Sequence, residues 1–238
     1  MQNYHKHSCW SDPISRGDSA VFQEDYAKRA VELGHKVLSS VEHGWQGYYF
    51  ETFEVAQKYG LFVFGAEAYW VLDRHQQDRT NCHMIILAKT EKGRQAINEI
   101  LSTANEDGYY YRPRIDLELI KSLPPNDVVI TTACIAGWYY GFEKSEEIFL
   151  ELFKIFGSNF FLEIQYHNIP LQIETNQHIL QMHEKYGIPM IVALDSHYID
   201  PSQAVERDEL LKSNGIFYED EQGMFLDYPS DDEVRRRF

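Results

Sequence analysis

The sequence predicts an α/β barrel built mainly from parallel strands. Along the chain, a short apolar segment with a polar end is followed by a helical segment, and this order repeats. About seven segments qualify as strands, which suits a barrel better than an open sheet. With 238 residues, 44% of them apolar, the chain is long enough for a full core. We therefore expect residues 1–238 to form a single α/β domain.

The individual elements follow from apolar spacing and from turn residues. Strands are predicted over 37–41, 61–65, 83–88, 128–133, 160–164 and 191–194, and a further short extended segment adjoins Tyr4–His7. Helices are predicted over 22–34, 50–59, 93–104, 146–156, 172–186 and 201–214. Glycines at positions 34 and 60 end the first two helices. The region 106–125 is expected to be the least regular.

Composition limits the class of partner and the location. The net charge of −15 repels nucleic acid, so a phosphoester substrate requires bound cations to offset part of this charge. No apolar run is long enough to span a bilayer, and the N-terminus lacks a basic stretch followed by an apolar one. Three cysteines with no zinc-finger spacing argue against a disulfide framework. We expect a soluble, cytoplasmic protein with no membrane partner.

Two pairs of polar residues accompany extended segments at opposite ends of the chain. The apolar strand over 191–194 ends in Asp195 and His197, and His5 and His7 show the same spacing near the N-terminus. In an extended segment, residues i and i+2 point to the same side, so each pair can converge on one ion. The sequence therefore predicts a metal site that is assembled when the barrel closes.

Further candidate ligands lie at the ends of other strands. His43, Glu67 and Cys134 follow predicted strands, and the carboxyl ends of strands form the reactive face of parallel α/β barrels. His83 opens its strand, so it fits only if that strand is antiparallel to its neighbours. Alone, each residue has a structural alternative: a hydrogen-bonded histidine, a buried thiol or a capping carboxylate. Together they favour two or three ions of zinc, manganese or iron.

Several short motifs in this order resemble those of a known family. They are His5-Lys6-His7-Ser8, the helical segment 26–34, Glu42-His43-Gly44, Gly65-Ala66-Glu67-Ala68-Tyr69, Cys82-His83 and Asp195-Ser196-His197-Tyr198. The chain resembles the PHP (polymerase and histidinol phosphatase) domain, and in particular the N-terminal PHP domain of C-family replicative polymerases, the DNA polymerase III alpha subunits. The resemblance covers nearly the whole chain.

The resemblance implies a distorted (βα)7 barrel, similar to a TIM barrel, with three metal ions and nine ligands. By position the ligands are His5, His7, an aspartate, His43, Glu67, His83, Cys134, Asp195 and His197. Seven of these are also expected to serve in catalysis: His5, His7, His43, Glu67, His83, Asp195 and His197. Counting forward from His7 assigns the aspartate to Asp12, whereas counting back from the first helix assigns it to Asp18, which we prefer.

The resemblance also implies an activity, metal-dependent phosphoester hydrolysis. In a polymerase its useful form is 3′ to 5′ exonuclease proofreading at a DNA 3′ end, with Arg112, Arg114 and nearby tyrosines contacting phosphates and bases, unless these residues only pack at the surface. The sequence contains no polymerase palm carboxylates, so we expect no DNA synthesis. Two alternatives are a phosphomonoesterase acting on a small substrate such as histidinol phosphate, and a metal-stabilised scaffold that docks the remaining polymerase domains or replication subunits.

Overall fold

Strands and helices alternate along most of the chain, as the sequence predicts. A computed structural model describes residues 2–11, 17–46, 48–218, 221 and 223–238. The strands are β1 Val37–Ser40, β2 Leu61–Trp70, β3 Cys82–Ala88, β4 Tyr109–Tyr110, β5 Arg112–Ile115, β6 Val128–Thr131, β7 Phe160–Ile164 and β8 Met190–Val192. The helices are α1 Gln23–Glu32, α2 Tyr49–Tyr59, α3 Glu91–Glu106, α4 Leu117–Ser122, α5 Phe142–Phe156, α6 Pro170–Tyr186, α7 Ala204–Ser213 and α8 Asp231–Arg237. Within these ranges, no helix combines the length and the apolar character needed to cross a bilayer.

The long strand β2 organises the sheet. It pairs in parallel with β1 and β5 on one side and antiparallel with β3 on the other. β3 is also antiparallel to β6, and β6, β7 and β8 continue the sheet in parallel. The prediction that the strand opened by His83 runs antiparallel is confirmed. Its beginning therefore lies beside the carboxyl ends of its neighbours, and His83 pairs with Tyr69 near the end of β2.

The N-terminal segment lies between the two ends of this curled sheet. The Ser39 hydroxyl of β1 donates to the Tyr4 carbonyl oxygen at 2.6 Å. On the other side, Lys6 forms a parallel bridge with Ser196, beyond β8, and the His7 amide donates to the Ser196 carbonyl at 2.8 Å. The predicted fold class, a distorted α/β barrel, is confirmed.

The two faces of the sheet bury different clusters. Met84 and Ile86 of β3 pack in a large apolar cluster with α3, α5 and α6. Ile85, between them, belongs to a small cluster on the opposite face with Tyr4 and Val41. Because side chains alternate along a strand, that opposite face is the barrel interior. Glu67 is the cross-strand partner of Ile85 and so also points inward.

The region 106–125 is more regular than the sequence predicted. It contains the β4–β5 hairpin and α4, and Asp116 caps α4 by accepting from the Leu119 amide at 3.2 Å. The hairpin is anchored by Arg114, which is 2% exposed and donates to four backbone carbonyls, of Arg74, Gln76, Asp78 and Gly108. The polar residues of this region suggested a loop. In the structure, Arg114 and Asp116 instead form hydrogen bonds with backbone groups of the hairpin and of α4.

The close packing of α3 on the sheet gives a stability prediction. A Cβ atom at Gly93, in the first turn of α3, would lie 2.0 Å from the Asp127 carbonyl oxygen. We expect Gly93→Ala to lower the free energy of unfolding by about 1–3 kcal/mol, because the backbone must shift to admit the methyl group. Ser102→Ala, at an exposed position of the same helix, should cause no loss because alanine is the better helix former. Urea denaturation measures the free energy of unfolding of both variants and of the wild type. If Gly93→Ala is as stable as the wild type, α3 does not approach the Asp127 carbonyl this closely.

Candidate metal centre

The Glu67 carboxylate lies at the centre of the predicted site. One oxygen, Oε1, is 3.4 Å from His5 Nε2 and 3.2 Å from His83 Nδ1. The other, Oε2, is 3.1 Å from His7 Nε2 and 2.9 Å from His43 Nδ1. The structure thus brings four imidazoles, from three separate parts of the chain, around one carboxylate that is 1% exposed.

Two aspartates extend the cluster. Asp195 Oδ1 is 3.1 Å from His5 Nε2 and 3.3 Å from His7 Nε2. Asp18 Oδ2 is 3.0 Å from His197 Nε2 and 3.4 Å from His43 Nε2. The structure therefore brings Asp18, the preferred aspartate, into the cluster, whereas Asp12 lies outside the described residues.

Cys134 joins the cluster through His83, whose Nδ1 is 3.5 Å from the thiol sulfur. Burial, followed by the negative charges of Glu67 and Asp195, raises the pKa of the Cys134 thiol well above its ordinary value. The side chain precedes a short 3₁₀ turn over Ile135–Trp138. Cys134 would therefore remain protonated unless a cation offset the neighbouring carboxylates.

Two non-glycine residues with left-handed backbone conformations turn the chain at the site. Asp195 has φ of +51°, and Ala133, just before Cys134, has φ of +55°. β8 ends at Val192, so the expectation that Asp195 and His197 converge because their segment is extended is wrong. They converge because the chain turns at Asp195, and such strained backbone conformations are concentrated at functional sites.

Several buried nitrogen and oxygen atoms of the cluster lie close to one another but make no hydrogen bond of normal geometry within the described part of the chain. These atoms are His5 Nε2, His7 Nε2, His43 Nδ1, both carboxylate oxygens of Glu67, and Asp195 Oδ1. Buried polar groups are normally paired, because an unpaired one loses its hydration without compensation. Imidazole nitrogens and carboxylate oxygens at this spacing are also the donors that zinc and related ions prefer. The residues present therefore fit a bound metal.

The cluster is strongly coupled electrostatically. Burial alone would lower the pKa of His43, but the charges and hydrogen bonds of Glu67 and Asp18 together outweigh this effect and raise it to about 10. Burial alone would raise the pKa of Glu67, but the imidazoles of His83, His43 and His5 hold it well below its ordinary value. The carboxylates are thus ionised, and positive charge, from protons or from metal ions, must accompany them in the interior.

Hydrogen bonds from surrounding residues orient the imidazoles. His5 Nδ1 lies 2.6 Å from Glu163 Oε1, and His7 Nδ1 lies 2.8 Å from the Ser11 hydroxyl. Glu163 also accepts from the Tyr4 hydroxyl at 2.6 Å and from Thr131 at 2.8 Å. These contacts leave the Nε2 atoms of both histidines facing the cluster. Sequence reasoning missed Glu163, although a carboxylate within an otherwise apolar strand, Phe160–Ile164, was a usable signal.

Arg207 positions Asp18. Its guanidinium donates to Asp18 Oδ1 at 2.6 Å, to the Asp18 carbonyl at 2.8 Å and to Glu221 Oε2 at 2.6 Å. Burial would raise the pKa of Asp18, but Arg207 and His197 hold it well below its ordinary value. Arg207 occupies one carboxylate oxygen, so the other faces His43 and His197. The sequence alone did not single out Arg207, which lies within a helix, α7.

A cavity of about 260 Å³ opens onto the cluster. Arg112 lines it together with all of the described ligand candidates except His5 and His7, and the Arg112 guanidinium lies 5.5 Å from the centre of the Tyr69 ring. Arg114 does not reach the cavity, because its guanidinium is committed to backbone carbonyls in the hairpin. The predicted contact between Arg114 and a phosphate is therefore wrong, whereas Arg112 is placed where a ligand can bind.

The fold is an α/β barrel, and a cluster of imidazoles and carboxylates lies inside its rim. Together they place the chain in the class of barrel proteins with a candidate multinuclear metal site. The model of one family, described as "PHP domain", matches residues 3–167. This chain belongs to the PHP domain family.

Individual relatives place the chain more closely. It is 30% identical over 202 residues to the DNA polymerase III subunit alpha of Aquifex aeolicus. The aligned region covers 77% of this chain and 17% of that protein. The same subunit of Borreliella burgdorferi is 29% identical over 204 residues, covering 80% of this chain and 18% of that protein. The chain therefore spans less than a fifth of the length of these relatives.

One solved structure with a related fold extends over almost the whole chain. It is described as a putative metal-dependent phosphoesterase from Bifidobacterium adolescentis, and it has a TM-score of 0.52 and 13% sequence identity. The superposed region covers 99% of this chain and 96% of the phosphoesterase chain. At this level of identity the likeness concerns the fold alone.

The contact between Glu163 and His5 gives a prediction about metal affinity. Glu163→Gln keeps the size of the side chain but removes the charge that orients His5, so we expect the affinity for Zn²⁺ to fall about 10–100-fold. Competition with a fluorescent zinc chelator measures this affinity. Glu151→Gln, at a surface ion pair with Lys121, is the matched control and should bind like the wild type. Equal affinities for all three proteins would contradict the role assigned to Glu163.

Proposed function

We propose that this chain is a metal-dependent phosphoester hydrolase that removes nucleotides from a DNA 3′ end. The observation that supports this proposal most directly is the set of buried, unpartnered donor atoms around Glu67 and Asp195. Three residues of this set, His43, Glu67 and Asp195, line a cavity large enough for a phosphoester group. The acidic cluster alone would repel a phosphate, so the proposal requires bound cations.

Two or three divalent ions, of zinc, manganese or iron, would be held by nine residues: His5, His7, Asp18, His43, Glu67, His83, Cys134, Asp195 and His197. Histidine and carboxylate ligands suit all three metals, and a thiolate favours zinc or iron. Glu67 and Asp195 each contact more than one imidazole, so they would be central among the residues that hold the ions. We propose the same residues as the catalytic set, apart from Asp18 and Cys134.

The chemistry divides between the ions and the chain. When bound, the ions would activate a water molecule and stabilise the charge that develops on phosphorus-bound oxygens. Glu163 and Ser11 hold the rings of His5 and His7 each in one orientation. Arg207 keeps one oxygen of Asp18 away from the cluster, so the other is available. The chain thus supplies a preorganised set of donors that needs little rearrangement during the reaction.

The choice of DNA as substrate is supported by the relatives, which are DNA polymerase III alpha subunits. Arg112 on the cavity wall supplies a cation for a phosphate other than the one under attack. The net charge of −15 favours a small phosphomonoester instead, and this is the alternative substrate class. A panel of phosphomonoesters, tested beside the oligonucleotide, separates the two.

The proposal predicts stepwise shortening of DNA. The chain, supplied with Mn²⁺ or Zn²⁺, should convert a 5′-labelled single-stranded oligonucleotide into a ladder of single-nucleotide steps and leave circular single-stranded DNA intact. The double variant Asp195→Ala/His197→Ala should bind less metal and lose the activity. His75→Asn, at an exposed histidine outside the cluster, is the matched control and should retain both.

Two outcomes would count against this function. Cleavage by the double variant at the wild-type rate would identify a contaminating nuclease. A wild-type protein that carries its metals but leaves every oligonucleotide intact would exclude the exonuclease. Hydrolysis of a phosphomonoester by that protein would then support the small-substrate alternative.

A scaffold role is the second candidate, because the cluster joins the N-terminal segment to the chain beyond β8. Metal removal should therefore destabilise the fold. At metal concentrations about 1,000 times the dissociation constant, binding contributes about 4 kcal/mol. We expect chelation by EDTA to lower the melting temperature by about 10 °C and added Zn²⁺ to restore it. An unchanged melting temperature would contradict metal-dependent folding, and a shift without any hydrolysis would favour the scaffold.

A further inference from the structure

Two loops beside the cavity carry exposed groups that the metal cluster does not use. One loop, at 78–81, precedes β3, and because β3 is antiparallel this loop lies at the same end of the sheet as the cluster. The other is the turn of the β4–β5 hairpin, at Tyr111. Thr80, Asn81 and Arg112 line the cavity itself. The hairpin packs closely against the site. A Cβ atom at Gly44, next to His43, would lie only 3.0 Å from Pro113 of the hairpin and 3.1 Å from the Tyr69 ring.

Tyr111 and Arg79 form a flat, exposed pair between these loops. The Arg79 guanidinium lies 3.8 Å from the centre of the Tyr111 ring, and it also hydrogen-bonds to the Tyr111 hydroxyl. Tyr111 remains 58% exposed in this pair. A planar aromatic ring with a planar guanidinium is the kind of surface on which nucleobases stack.

The backbone at Tyr111 gives a second, independent observation. Its φ of +63° lies in the left-handed region, which glycine or asparagine adopts far more easily than a bulky aromatic residue. A large side chain at such a position is consistent with a functional use of that side chain. Asn81, in the facing loop, also has a positive φ, of +46°. Asn81 itself lines the cavity, and Tyr111 directly precedes Arg112, which also lines it.

Arg112 follows Tyr111 in the hairpin and lines the same cavity as Glu67, His43 and His83. Its guanidinium packs over Tyr69, and the Tyr69 ring in turn stacks on His43 at 5.6 Å and contacts His83 at 5.4 Å. One aromatic ring therefore separates the Arg112 cation from the candidate ligands. We therefore expect Arg112 to bind a phosphate next to the one under attack. A substrate with a single phosphate has no such neighbouring phosphate.

From these contacts we infer that Arg79, Tyr111 and Arg112 form a subsite for single-stranded polynucleotide, with a base stacked on the Arg79–Tyr111 pair and a neighbouring phosphate bound by Arg112. The inference rests on the proposed function and deepens it, because it explains how an acidic protein selects a strand instead of a small ester. It also supplies two cations, Arg79 and Arg112, on the approach to the acidic site.

The test compares two substrates. For an oligonucleotide, Tyr111→Leu should raise KM about tenfold with little change in kcat, because base stacking is lost, and Tyr111→Phe should behave like the wild type. Arg112→Gln should raise KM similarly and reduce its salt dependence. For bis(p-nitrophenyl) phosphate, Tyr111→Leu and Tyr111→Phe should match the wild type. Tyr109→Leu, at another exposed tyrosine of the hairpin, is the control and should change neither reaction.

The outcomes separate this inference from the proposed function. Unchanged oligonucleotide KM in Tyr111→Leu and Arg112→Gln would overturn the subsite and leave the hydrolase proposal intact. If the wild type hydrolyses neither substrate, the dissociation constant of a fluorescein-labelled single strand replaces KM. A tenfold weaker binding by both variants would then support the subsite, and equal binding would overturn it.

Discussion

The burial of the Glu67 carboxylate is the constraint on which the rest of this structure depends. A carboxylate that is 1% exposed costs several kcal/mol unless positive charge and hydrogen-bond donors accompany it. Here four imidazole nitrogens lie 2.9–3.4 Å from its oxygens, where protons on the imidazoles or bound metal ions would supply the positive charge. They are supplied by the N-terminal segment, by the chain after β1 and by the start of β3, so these elements must meet in one place.

The unusual features of the barrel follow from this requirement. β3 runs against its neighbours, which brings His83 to the end of the sheet where the other ligand candidates lie. The N-terminal segment inserts between β1 and the chain beyond β8, which brings His5 and His7 to Glu67 and Asp195. The same contacts that close the barrel thus assemble the site, and a bound metal would stabilise both together.

Local sequence patterns were sufficient for most of the fold and for the candidate site. Apolar runs of strand length with polar ends located the strands, and the order of the motifs located His5, His7, His43, Glu67, His83, Cys134, Asp195 and His197. The antiparallel direction of β3 followed from a single residue, His83, at the wrong end of its strand. These features are local, so the sequence carries them directly.

What the sequence did not reveal depends on contacts between distant residues. Glu163 and Arg207 matter because of what they touch, His5 in one case and Asp18 in the other, more than 150 residues away in each. Arg114 looked like a surface cation in a polar loop, yet it satisfies four backbone carbonyls in the interior. The turn at Asp195 depends on a backbone conformation that sequence spacing does not specify.

Anomalous diffraction tests most directly whether the cluster around Glu67 holds metal ions. Crystals of the chain grown with Mn²⁺ or Zn²⁺ should be measured on both sides of the metal absorption edge. We expect at least two anomalous peaks within about 2.0–2.3 Å of donor atoms from His5, His7, Glu67 and Asp195. Peaks only at surface carboxylates, with the buried donors still facing one another, would contradict the account.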